Sequence, residues 1–125
     1  MDYDSLAKSG SMLGAGSVIV MDETTCMVNT LARLSHFYAE ESCGQCTPCR
    51  EGTGWLARVL HRIEHGQGRP EDLDLLDDVA NRIAGRTICA LGDAAAMPVQ
   101  SFLQHFRNEF EYHIEHGKCM VGPRA

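Results

Sequence analysis

The chain has 125 residues, 44% of them hydrophobic and 22% charged, and a formal net charge of −6. That size supports one domain around a modest core, and the composition excludes a disordered chain. The longest apolar run, Val18 to Met21, is far short of the roughly 20 residues a spanning helix needs, and the N-terminus carries no apolar leader, so no direct membrane insertion is expected. With an acidic balance and scattered Arg and Lys, no nucleic acid is expected as a partner.

Residues 1–23 differ from the remainder. A small, flexible stretch, SGSMLGAGS, leads into the β-branched run SVIVMD, which predicts a single strand. A lone strand leaves its N–H and C=O groups without a ladder, so the segment reads as the end of a preceding β-containing domain, with Met1 not necessarily a natural start.

From Thr24 the pattern turns helical. Met27, Leu31, Leu34 and Tyr38 fall on one face and predict a helix from about Thr25 to Glu40. Trp55, Leu56, Val59, Leu60 and Ile63 form the inward stripe of a second helix, which ends at HGQGRP, where Gly66 suits a left-handed cap. Pro70 suits the first turn of a third helix, with Leu76, Val79 and Ile83 inward, Arg82 and Arg86 near its end, and Gly85 closing it. A fourth is expected to start near Pro98, with Val99, Phe102, Leu103, Phe106, Phe110 and Ile114 as its stripe and Gly117 as its stop. Four amphipathic helices with short links predict a mainly α fold, a four-helix bundle over 24–117, followed by a flexible tail at 118–125.

The chemistry lies in the cysteines. Cys43, Cys46, Cys49 and Cys89 make C-x2-C-x2-C-x39-C, with the fourth member between the third and fourth helices. Six cysteines could form a disulfide scaffold, but three of them within seven residues, in a chain without a leader, fit metal ligation better. A structural zinc site usually takes two C-x2-C pairs from separate turns. Three evenly spaced thiolates from one loop, with a remote fourth, suit the four iron corners of a [4Fe–4S] cluster. Both metals stay open at this point, with the iron cluster favoured.

The surroundings fit a bulky anion. Gly44, Gly52 and Gly54 are expected to let backbone approach inorganic sulfur. Pro48 shapes the loop and can open the second helix, whose positive end then faces the cluster with Arg50 close by. Arg50 is expected to act on the ligand loop from outside it. A second helix start after Cys89 would act in the same sense, and both favour the reduced state.

Other residues invite plainer readings. Cys26 and Cys119 lie outside the loop and read as non-ligands, behaving as small apolar residues. His61 and His65 read as a solvated face, His105, His113 and His116 as ordinary helix residues, and Trp55 as core or as a shield for the cluster. The acidic run Glu71, Asp72, Asp74, Asp77 and Asp78 reads as a solvated face that also complements a helix dipole.

ESCGQCTPCREGTGW, followed some forty residues later by TICALGDAAAMPVQSFLQHF, resembles the C-terminal region of the 51 kDa-type flavin- and NADH-binding subunit of respiratory NADH:quinone oxidoreductase. The likeness covers roughly residues 2–117. It implies that Cys43, Cys46, Cys49 and Cys89 ligate a [4Fe–4S] cluster in a four-helix bundle, and that residues 1–23 end a ubiquitin-like β-grasp domain. The family's glycine-rich site for flavin mononucleotide (FMN) and NADH lies upstream and has no counterpart here.

The resemblance implies a one-electron relay inside an NADH dehydrogenase. Electrons would come from reduced FMN, with the 24 kDa-type [2Fe–2S] subunit and the large multi-cluster subunit as partners. The complex would sit peripherally on the inner face of the bacterial cell membrane, or on the matrix side of a mitochondrial one. The diaphorase subunit of an NAD-dependent hydrogenase or formate dehydrogenase shares the cluster motif and remains an alternative, as does a structural zinc module for subunit docking.

Overall fold

The computed structural model describes residues 2–121. Five helices follow in order: α1 Tyr3–Lys8, α2 Met27–Glu41, α3 Thr47–Glu64, α4 Asp72–Ile83 and α5 Leu91–His116. The last four form the bundle, α2 against α3 and α5, and α4 against α3 and α5, while α1 packs on none of them. The chain runs up, down, up, down, so α3 and α5 start at one end of the bundle and finish at the other. No described helix is long and apolar enough to cross a membrane.

The mainly α expectation holds; the strand does not. Among the described residues there is no strand, and Val18 to Met21 run irregularly, with Val20 90% exposed. Strand geometry needs a neighbouring ladder, and none of the described residues supplies one. An unexpected short helix, α1, forms instead upstream, capped by Asp2, whose carboxylate accepts the Ser5 N–H at 2.7 Å. Of the expected flexible tail, 118–121 lack regular structure, and 122–125 lie outside the described residues.

The core joins Val28 and Leu31 from α2, Leu56, Leu60 and Ile63 from α3, Leu73, Leu76 and Ile83 from α4, and Val99, Leu103 and Phe110 from α5. Each such side chain contributes roughly 1.5–3 kcal/mol by leaving water. Trp55 departs from its expected place. It is 50% exposed and lines an outer groove with Pro48, Val79 and Ile83, and it is not among the residues that line the cysteine cleft. Its neighbour Gly52 explains the close contact between α3 and α4, since a Cβ there would stand 2.6 Å from Ile83 Cδ1. Gly52 and Gly54 therefore serve helix packing and space for the Arg58 guanidinium, not an approach to sulfur.

α5 begins a full two turns before Pro98, because LGDAAAM favours helix strongly enough to carry the proline inside it. The same helix kinks at Phe106 (φ −127°, ψ 21°), a residue that is partly exposed, whereas Phe110 and His113 further along are buried. The acidic run is also not uniform. Asp72 is 1% exposed, pairs with the Arg62 guanidinium and accepts the Arg69 N–H at 2.9 Å, closing the turn from α3 to α4.

Candidate metal centre

At one end of the bundle, Cys43, Cys46, Cys49 and Cys89 line a single cleft of about 230 Å³, together with Glu41, Ser42, Gln45, Ile88 and Leu91. The spacing grouped these four cysteines in one set, and the fold brings all four to one cavity. Cys49 is buried, Cys46 half-buried, and Cys43 and Cys89 reach the surface; none is in a disulfide.

Each ligand candidate is held from behind. Cys46 is the N-cap of α3, Pro48 occupies its first turn, and the Arg50 N–H donates to Cys46 O at 2.9 Å. Cys49 lies one turn further; its carbonyl accepts the buried Thr53 hydroxyl at 2.7 Å, and its sulfur stands 3.2 Å from Ser42 Oγ. Gly44 takes φ +74°, a turn few other residues accept, and its N–H donates to Ser42 Oγ at 3.4 Å. Arg50 clamps that turn by donating from Nη1 to Gly44 O at 3.1 Å and from Nη2 to Thr47 Oγ1 at 3.3 Å. The expected roles of Gly44, Pro48 and Arg50 thus become specific: they shape the loop that carries the sulfurs.

Cys89 arrives on the link between α4 and α5. Gly85, at φ +70°, donates its N–H to Asp93 Oδ1 at 2.7 Å, and the Thr87 hydroxyl donates to Cys89 O at 2.8 Å. Gly92 lets this link fold against α5, since a Cβ there would stand 2.3 Å from Thr87 Cγ2. Sequence reasoning missed Ser42, Thr87 and Gly92. Ser42 adjoins the first cysteine and was findable there, whereas the Thr87–Gly92 contact leaves no spacing signature.

The donor set fits an iron–sulfur cube. Neither α3 nor α5 has a side-chain cap, and residues of both first turns line the cleft, so the positive ends of two helix dipoles lie at it. Four thiolates around one zinc would stand about 3.8 Å apart, given Zn–S of about 2.3 Å. Among the described residues, no three of these sulfurs form a group within 4.8 Å of one another.

Elsewhere, Cys26 and Cys119 are not among the residues that line the cleft. His61 and His65 stack at 3.9 Å on an exposed face. His113 departs from its ordinary reading: it is 1% exposed, with Nε2 3.7 Å from Cys26 Sγ.

Fold and cleft together define a helical iron–sulfur domain. Residues 29–113 match the NADH-ubiquinone oxidoreductase-F iron–sulfur binding region, and the chain belongs to that family, which carries a [4Fe–4S] cluster. It is 56% identical over 115 residues to the F-type subunit of the NADH-quinone oxidoreductase of Rickettsia bellii, covering 92% of this chain and 28% of that one. The corresponding protein of Mycobacterium tuberculosis is 49% identical over 99% of this chain and 28% of its own length. The chain thus spans little more than a quarter of these relatives. A crystal structure of NAD+-reducing [NiFe]-hydrogenase in the H2-reduced state superimposes with a TM-score of 0.76 at 32% identity, over 83% of this chain and 18% of that one.

Proposed function

We propose that Cys43, Cys46, Cys49 and Cys89 hold the [4Fe–4S] cluster and that the domain is a one-electron relay in the NADH-oxidising arm of an NADH:quinone oxidoreductase. When bound, the cluster supplies a site that accepts one electron at a time from reduced FMN and yields it to an iron–sulfur centre of a partner subunit. The observation that carries this reading is the convergence of all four cysteines and two uncapped helix starts on one cleft.

The protein's own residues prepare the cleft for added negative charge. The α3 and α5 dipoles favour an anion there, the Ser42 hydroxyl is placed to donate to the Cys49 sulfur, and the Arg50 clamp fixes the loop so that little rearrangement accompanies a charge change. Ile88 and Leu91 give the cleft an apolar wall. No acid–base pair or nucleophile is needed.

On this reading FMN and NADH bind elsewhere in the longer subunit, whose expected partners are the 24 kDa-type [2Fe–2S] subunit and the large multi-cluster subunit. Residues 1–23 are read as the end of a β-grasp domain whose other strands would pair Val18 to Met21, with the helical domain at 24–117. The complex would lie peripherally on the inner membrane face. The hydrogenase likeness favours a second reading, a diaphorase arm delivering electrons between NAD and a hydrogenase, in which the relay residues are the same.

A redox titration of the anaerobically reconstituted chain tests the relay. Uptake of one electron per chain, with a half-integer-spin EPR signal appearing as the visible colour bleaches, is expected. A chain that binds iron yet takes up no electron, or takes two together, would overturn it.

A further inference from the structure

At the opposite end of the bundle lies a second set of soft donors. Cys26 Sγ, a nitrogen of His113 and Cys119 Sγ lie within 4.8 Å of one another, the one such group of three metal-ligating residues among the described residues. Cys26 caps the start of α2 and Cys46 caps α3 just past its end. With 15 residues in α2, the two sulfur sets are separated by about 22 Å along the bundle. The set is distinct from the cluster cleft.

We propose that Cys26, His113 and Cys119 form a second metal site, for a thiophilic divalent cation of the zinc class, with one position left for water or an incoming ligand. The distances match that chemistry. Around a tetrahedral zinc with Zn–S of about 2.3 Å and Zn–N of about 2.0–2.1 Å, a sulfur and a nitrogen stand about 3.6 Å apart. Cys26 Sγ and His113 Nε2 are 3.7 Å apart.

The imidazole is also set up as metal-binding histidines are. With the proton on Nδ1, donated to the Ile63 carbonyl oxygen 3.4 Å away, Nε2 would be the ligating nitrogen beside Cys26 Sγ. His113 is buried against the bundle, so its ring has one orientation. The sulfur of Cys26 already accepts the Asn29 N–H at 3.5 Å as the N-cap of α2.

Charge completes the argument. Two thiolates, a neutral imidazole and a divalent cation sum to zero, which a half-buried site tolerates. Binding releases two thiol protons, and no electron is exchanged.

The consequence is structural. Cys119 follows the Gly117 cap of α5, and the site would clasp residues 117–121 to the start of α2 and to the end of α3 through Ile63. Gly66 and Gly117 touch at this same end, where a Cβ on Gly66 would stand 2.8 Å from Gly117 O.

The test uses the full chain with its cluster loaded without oxygen, titrated with Zn2+ while iron is counted in the same sample. One tightly held zinc per chain is expected, at undiminished iron, with a zinc X-ray absorption shell of two sulfurs and lighter atoms. Cys26→Ala and Cys119→Ala should each weaken zinc binding at least a hundredfold and leave iron unchanged; Cys119 lies outside the helices, so its variant keeps the fold. No zinc uptake, a four-sulfur shell, zinc entering only as iron leaves, equal affinity in the Cys119→Ala protein, or a Cys26–Cys119 disulfide in the anaerobic chain would each overturn the site. Iron loading reports separately on the relay, so failure of one proposal is not failure of the other.

Discussion

The two ends of the bundle gather cysteines by different means. At the cluster end, three of four come from one seven-residue stretch, and the loop's own hydrogen bonds set their positions. At the other end, Cys26 and His113 are 87 residues apart and meet only because α2 and α5 pack side by side. A local loop can keep its donors near one another before the core forms, whereas a tertiary site exists only in the folded chain. The ends also differ electrostatically: uncapped starts of α3 and α5 border the first cleft, and those same helices finish at the second. An anionic cluster suits the one, and a cation suits the ends of the other.

The sharpest way to break this comparison is to remove a ligand that is central to one end. Cys49→Ala should abolish stable cluster assembly, dropping iron from about four per chain to below one, while far-ultraviolet helicity stays close to wild type, because the core residues of α2 to α5 are untouched. Retention of a full iron complement would remove Cys49 from the ligand set.

Damage to the other end should leave the cluster in place. Asp72→Ala strands the partly buried Arg62 and the Arg69 N–H, and should cost about 3 kcal/mol of unfolding free energy, within the range for breaking such pairs. Chemical denaturation checks the stability, and iron per folded chain should not change. A loss of iron proportionate to the loss of stability would mean that the ends are not independent.

The mildest change sharpens the electrostatics at the cluster end. With Cys49 bound to the cluster as proposed, the Ser42 hydroxyl would donate to its sulfur, and Ser42→Ala would remove a hydrogen bond worth about 1 kcal/mol more in the reduced, more negative state. At 59 mV per tenfold for one electron, the midpoint should fall by about 40 mV, read by EPR-monitored titration. A rise would contradict the donor role.

Much of this was legible beforehand, for physical reasons. The stripes of α2, α3 and α4 carry the 3.6-residue period, and Gly66, Gly85 and Gly117 all take positive φ at helix ends. The four cysteines that spacing and chemistry group together do share one cleft. The errors came where tertiary packing overrides local pattern. Pro98 signalled a helix start, but Ala94, Ala95 and Ala96 had already committed the chain to helix. Gly52 looked like room for sulfur and is room for Ile83. Val18 to Met21 has strand-forming residues and, among the described residues, no neighbouring strand to pair with. His113 carried no signal, since its partners Cys26 and Ile63 are distant in the chain.

The central claim is that one cleft at the head of α3 and α5 holds a cube of iron and sulfide on four cysteines. Its most direct measurement is the iron and acid-labile sulfide content of the wild-type chain after oxygen-free reconstitution and gel filtration. About four of each per folded chain is the predicted result. A folded, helical chain that emerges without iron, or with zinc alone in the four-cysteine cleft, would contradict it.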